Sequence, residues 1–180
     1  MAEIKSTLEL AMERTKKMTI SEKEKEEIKR KEIEQKVDAL SNRYRDGHLP
    51  LTEVLKEIER MDERIQTTVM ESILSQWIDG LSLNDRDERL LKGIESLKHR
   101  SLDELKQKHH QLISQYQREK ERVKEEARIQ LVETLRKDGI YGSAVEPNTE
   151  ANHLWKQALE KLNQLYRTKL EDIKEQLRSL

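Results

Sequence analysis

Trp155, Leu159, Leu162, Tyr166, Leu170, Ile173, Leu177 and Leu180 follow one another at steps of three or four residues, and most of what lies between them is charged or polar. A stripe with that period is the apolar seam of an α-helix. Its narrowness is that of a coiled coil, in which one or two neighbours cover the helix, rather than of a helix sunk in a broad core. A second seam of the same kind reads Leu105, His109, Leu112, Tyr116, Val123, Ala127, Leu131 and Leu135. It lies in a run of 36 residues from Leu102 to Lys137, which as a straight helix would be about 54 Å long. Between Tyr116 and Val123 that run holds only polar residues, so this part either protrudes from the body or pairs loosely with a partner.

Composition agrees with the seams. Charged residues make up 39% of the 180 residues and aromatic ones 3%, with no Phe. The usual charged share is about 25%. Five glycines and two prolines are too few for a disordered linker. The sequence therefore predicts an all-α fold, an elongated helical bundle with long coiled-coil-like helices, about six in number.

Local signals divide the chain. Ile4, Leu8, Ala11, Thr15 and Met18 mark an N-terminal amphipathic helix over residues 1–20. Residues 21–180 then form a single helical bundle. Ser21 and Glu24 have capping-box spacing, and Ile28, Ile33, Val37, Leu40 and Tyr44 form a thin stripe that stops at Asp46-Gly47. Thr52 is expected to cap one continuous helix carrying Val54, Ile58, Met61, Ile65, Val69, Ile73, Trp77 and Leu81, ended by Gly80. Asn84 and Asp87 open a short helix with Leu90, Leu91, Ile94 and Leu97. Ser101 and Glu104 make a second capping box at the head of the longest run. Lys137-Asp138-Gly139-Ile140 has the form of a Schellman stop, which would fold Ile140 back on Leu135. Asn148 or Thr149 is expected to cap the last helix.

Several function classes lose support at this stage. With 35 basic and 36 acidic side chains the net charge is −1, so no global field draws the chain to nucleic acid or to an acidic membrane. Absence of Cys removes disulfides, thiolate nucleophiles and Cys-based zinc sites. No apolar run approaches the roughly 20 residues of a membrane span, and the acidic N-terminus argues against export, which points to the cytoplasm. His109 and His110 are adjacent and diverge by about 100° on a helix. His109 falls in a seam and is read as partly buried. Glu150 and His153 make one Glu-x-x-His step where iron-binding bundles need two. There is no nucleophile elbow or glycine-rich phosphate loop. No catalytic, metal or cofactor residue is assigned, and the chain is not read as an enzyme.

A nucleic-acid surface would have to come from Lys98, Arg100, Lys106, Lys108, Arg118, Lys120, Arg122 and Lys124 on or beside the long helix. Asp103, Glu104, Glu119 and Glu121 interrupt them, whereas phosphate binders cluster their bases on one face. The more unusual feature is the loop from Gly139 to Asn148. It gathers two glycines, a proline and several apolar residues between the two longest helices. Gly139, Ile140, Tyr141, Gly142, Val145, Pro147 and Asn148 are the candidate docking surface for a protein partner.

This loop, GIYGSAVEPN, and the opening segment MAEIKSTLELAMERT (Met1 to Thr15) resemble segments of small bacterial proteins grouped as a domain of unknown function. The resemblance implies a bacterial, cytoplasmic, helical protein and carries over no activity, ligand or site. The function expected is a non-enzymatic interaction or scaffold protein of stalk or adaptor type. It would act through coiled-coil packing with a protein partner or with itself as a homo-oligomer. An RNA- or ribosome-associated helical factor is the alternative.

Overall fold

The computed structural model describes residues 21–83, 87–140, 142 and 147–180. The expected helix over residues 1–20, like Asn84, Tyr141 and Val145, lies outside the described residues. Among the described residues the fold is all-α, with six α-helices and one 3-10 turn. They are α1 (Glu22–Arg45), α2 (Leu51–Glu59), α3 (Glu63–Asp79), α4 (Glu88–Lys98), α5 (Asp103–Lys137), the 3-10 turn (Thr149–Ala151) and α6 (His153–Ser179).

The capping box at Ser21 forms as expected: Glu24 N donates to Ser21 Oγ at 3.2 Å and Ser21 N to the Glu24 carboxylate at 2.7 Å. Only the C-terminal half of α1 is buried, through Val37, Leu40, Ser41 and Tyr44. Gly47 ends it with φ +82°, and His48 N reaches back to Arg43 O at 2.9 Å. This is a Schellman stop.

The single helix expected from Thr52 to Gly80 is instead two. Pro50, not Thr52, holds the N-cap position of α2, and the chain breaks at Arg60–Asp62 before α3 begins. The Asp62 side chain accepts from Arg64 N at 3.0 Å. Gln66 Nε2 donates to Glu59 O and Met61 O at 3.2 and 2.9 Å, taking up carbonyls that the break leaves free. The physical reason is angular. A four-residue step overshoots the helical turn by about 40°, so on one straight helix Val54 and Trp77 would lie far apart around the axis. With the break, Val54, Ile58, Val69, Ile73 and Trp77 all enter one core.

That core is organised around Trp77, which is 1% exposed. Its ring stacks at 4.5 Å, tilted by 37°, on Tyr44 of α1. Its other neighbour is the backbone of α4 at Gly93. A Cβ on Gly93 would stand 2.7 Å from Trp77 Cε3 and 2.9 Å from Tyr44 Cε1. Two reciprocal bonds fasten α1 to α4 beside this contact: Tyr44 OH donates to Arg89 O at 2.6 Å and Arg89 Nη1 donates to Tyr44 O at 3.1 Å.

α5 starts at Asp103, and the capping box expected from Ser101 does not form. Leu102, buried, takes the N-cap position, and its N–H donates to the Glu95 carboxylate of α4 at 3.0 Å. Lys106 pairs with the same carboxylate. Its hydrogen bond, followed by that of Leu102 N, holds the Glu95 carboxyl below the usual carboxylate range. Ser101 Oγ turns instead to Asp103 Oδ2, at 2.8 Å. The cap of the last helix is also displaced. Asn148 caps the 3-10 turn, accepting from Ala151 N at 3.1 Å, and Asn152 caps α6, accepting from Leu154 N at 2.7 Å.

α5 and α6 form an antiparallel hairpin within the chain. Lys108 lies opposite Gln176, Tyr116 opposite Asn163 and Lys124 opposite Glu150. Near the body the hairpin is packed through Leu105, His109, Leu112, Ile113 and Tyr116 of α5 and through Tyr166, Leu170, Ile173 and Leu177 of α6. Beyond Tyr116 the one buried residue of α5 is Ala127, so the polar gap in the seam corresponds to an arm leaving the body. Arg178 and Lys174 tie the other end of α6 to Asp79 at the end of α3.

Gly93→Ala gains about 1 kcal/mol of helix propensity but forces a methyl into two fixed rings, and overpacking of that kind costs about 1–3 kcal/mol or more. The clash is expected to win, with a net loss of about 2 kcal/mol in urea unfolding. The same substitution in a Trp77→Phe background should cost less, because the shorter ring yields the space.

Candidate functional site

The structure places the described loop residues at the far end of the hairpin, between α5 and α6. Gly139 (φ +81°) completes the Schellman stop, with Ile140 N donating to Leu135 O at 2.9 Å. Ile140 does not fold away behind it and remains 49% exposed. No described residue stands within 4 Å of a Cβ built on Gly139 or on Gly142 (φ +146°), and the positive φ of both favours glycine. Pro147 precedes Asn148, the cap of the 3-10 turn. Gly139, Ile140, Gly142, Pro147 and Asn148 thus flank one bend. Tyr141 and Val145, two of the loop's apolar residues, lie outside the described residues.

Three of the eight basic residues weighed for a nucleic-acid surface are engaged by acids of the chain. Lys106 pairs with Glu95, Lys124 with Glu150 at 3.3 Å, and Arg122 with Glu119 and Glu126 at 2.7 and 2.8 Å. Glu150 is therefore turned towards Lys124. Among the described residues no three His, Asp or Glu side chains converge as a metal site would need.

His109 is more deeply buried than its place in the seam suggested, at 0% exposure, and neither ring nitrogen has a hydrogen-bond partner among the described residues. Burial lowers its pKa from 6.5 to about 4, with smaller contributions in the same direction from His110 and Lys174. It is a neutral core residue at pH 7 and does no visible chemistry.

One concave feature escaped the sequence reading. A cleft of about 570 Å³ opens where Leu81–Leu83, the segment after α3, meets the base of the α5–α6 hairpin. Tyr116 lies in its wall, its hydroxyl donating to Asn163 Oδ1 at 2.7 Å and its ring 5.4 Å from that of Tyr166. Burial pushes the Tyr116 hydroxyl pKa up and the nearby Arg167 charge draws it back. Lys120, Arg167 and Lys174 line the same cleft. In the sequence these three are ordinary charges beside two seams. The one signal that could have joined them is the seven-residue, two-turn interval from Arg167 to Lys174, and that interval recurs by chance in any charged helix. No family model, no curated protein and no solved structure matches the chain.

Because the unfolded chain binds a proton on His109 near pH 6.5 and the folded one near pH 4, His109 costs nothing above about pH 6.5. Stability is lost as the pH falls from there towards 4, at about 1.4 kcal/mol per unit. Between pH 7 and pH 5 the wild type should lose about 2 kcal/mol more than a His109→Leu variant, measured by urea unfolding. Equal losses in the two proteins would remove His109 from the account.

Proposed function

We propose that this chain is a non-enzymatic helical interaction or scaffold protein of stalk or adaptor type. The observation that carries the reading is the hairpin arm. α5 and α6 continue beyond the core with few buried residues, yet α6 keeps Leu154 and Leu165 at 50% and 54% exposure. Eleven residues separate them, close to three helical turns, so they share a face with Ala158 between. Ile129 of α5 and Ile140 at the bend, 47% and 49% exposed, add to the apolar surface of this end. A second helix laid along that face would complete its burial by coiled-coil packing. The partner is another protein or a second copy of the chain. No helix among the described residues is long and apolar enough to cross a membrane. A bacterial cytoplasmic setting belongs to the same proposal, on the resemblance of the opening segment and the loop.

The RNA-associated alternative has less support, since the long helix spends Lys106, Arg122 and Lys124 on acids of its own chain. Salt separates the two readings. Binding through phosphates weakens steeply with added salt, and apolar helix docking does not.

The test is a Leu165→Asp variant, compared with wild type by sedimentation equilibrium and by nuclease-treated pull-down at moderate salt. Being exposed, the substitution should leave helicity and stability within about 0.5 kcal/mol while dispersing the homo-oligomer or releasing the protein partner. An assembly unchanged by the variant would sink the reading of this face, and one abolished by nuclease would favour the RNA alternative.

A further inference from the structure

We propose that the cleft between the Leu81–Leu83 segment and the base of the α5–α6 hairpin binds a small organic phosphate, held by Lys120, Arg167 and Lys174. The volume, about 570 Å³, lies within the range of roughly 300–1,000 Å³ usual for small-ligand sites. Three elements contribute to it, so the site exists only in the folded chain. Lys120 comes from α5 and the other two cations from α6, where two helical turns place Arg167 and Lys174 on the same side.

The charge in this cleft is unbalanced in a chain whose charges otherwise nearly cancel. Among the described residues Glu171 is the single acid of the lining, and it is taken by Arg178 Nη1 at 2.7 Å. Asp79, just outside, is bound by the other arm of the same guanidinium. Lys174 Nζ donates to a main-chain oxygen, Asp79 O, at 2.9 Å, and makes no ion pair with any described residue. Lys120 and Arg167 make no ion pair with any described residue. Lys120 instead sits 6.0 Å from the centre of the Tyr116 ring. Three like charges on one concavity repel one another unless an anion joins them.

The remaining polar groups select the same kind of ligand. Asn163 accepts the Tyr116 hydroxyl through Oδ1, so its NH₂ is left to donate. A guanidinium fork, two ammonium groups and an amide NH₂ are all donors, and with the Glu171 carboxylate turned to Arg178 this set suits the oxygens of a phosphate. Leu81, Leu83 and Leu159 line the same cleft and offer apolar surface for the organic part of the molecule.

The test uses the full chain and inorganic pyrophosphate as the probe, titrated calorimetrically at fixed ionic strength. Saturable binding of one equivalent is expected. In a Lys120→Gln, Arg167→Gln variant the affinity should fall at least tenfold, with the melting temperature of the free protein not lowered, because neither side chain has an ion pair to lose among the described residues and the repulsion in the cleft is relieved. A Lys156→Gln, Lys161→Gln variant removes the same charge outside the cleft and should bind as the wild type does. Phenyl phosphate should bind more tightly than inorganic phosphate if the leucines take the organic part. Absence of saturable binding, or an equal loss in both double variants, would overturn the site. Equal affinity for phenyl and inorganic phosphate would overturn its assignment to an organic ligand.

Discussion

The contact between the Trp77 ring and the α4 backbone at Gly93 sets the geometry of the rest of the body. A ring of that size can lie against a helix backbone only where no Cβ stands in the way, and at Gly93 there is none. The approach brings α3 and α4 together, and Tyr44, stacked on the indole and itself close to Gly93, brings in α1. Three helices are thus positioned by one side chain. The paired bonds between Tyr44 and Arg89 then fix the end of α1 against the start of α4. The indole Nε1 has no hydrogen-bond partner among the described residues, a cost of about 1–3 kcal/mol. The burial of a large aromatic surface outweighs it. α6 joins the same body through Leu177, which is fully buried beside the Asp79 anchor.

Signals that act within one or two turns were legible in the sequence. The Ser21 capping box, the glycine stops at Gly47 and Gly139, and the seams of α5 and α6 all depend on near neighbours, and all are present, except that Leu180, read as the last seam residue, lies beyond α6 and is 45% exposed. What failed depended on remote partners. The start of α5 is capped by Glu95, which the sequence could not distinguish from other surface glutamates because its partner, Leu102 N, becomes available only when α4 and α5 meet. Asn148 and Asn152 are equally good caps by residue type, and the 3-10 turn between them decides which one α6 uses. The break between α2 and α3 left only a slow angular drift in an apolar stripe. Gly93 left only the oddity of a glycine where alanine would make a better helix. The cleft was invisible for the strongest form of this reason, since its lining comes from three segments that no spacing rule links.

The two halves of the hairpin are held by different forces. Next to the body, α5 and α6 share a continuous apolar interface that includes the Tyr116–Tyr166 pair. In the arm, the ion pairs Arg122–Glu119, Arg122–Glu126 and Arg128–Glu125 join residues three or four apart on α5 itself. Exposed pairs of this kind contribute about 0.3–0.5 kcal/mol each, and they support the helix without attaching it to its neighbour. Ala127, Trp155 and Thr149 are the buried residues of that end. The arm is therefore stiff along its length and lightly fastened across it, a combination that leaves apolar surface for a partner without a large cost of ordering.

The cleft lies where these two regimes meet. Tyr116 is the last large buried residue of α5 before the polar gap, and it lies in the cleft wall. Lys120 is one turn further out, already in the arm, whereas Lys174 is tied to the end of α3 in the body. An anion bridging them would add an attraction across the hairpin at the point where apolar packing gives out. It would also relieve the repulsion among the three cations. Because that attraction exists only when arm and body hold their present relation, binding would favour this relation over any splayed one, by linkage. A ligand in the cleft and a partner on the Leu154–Leu165 face would then act on the same element from opposite ends, each finding the hairpin better ordered when the other is bound.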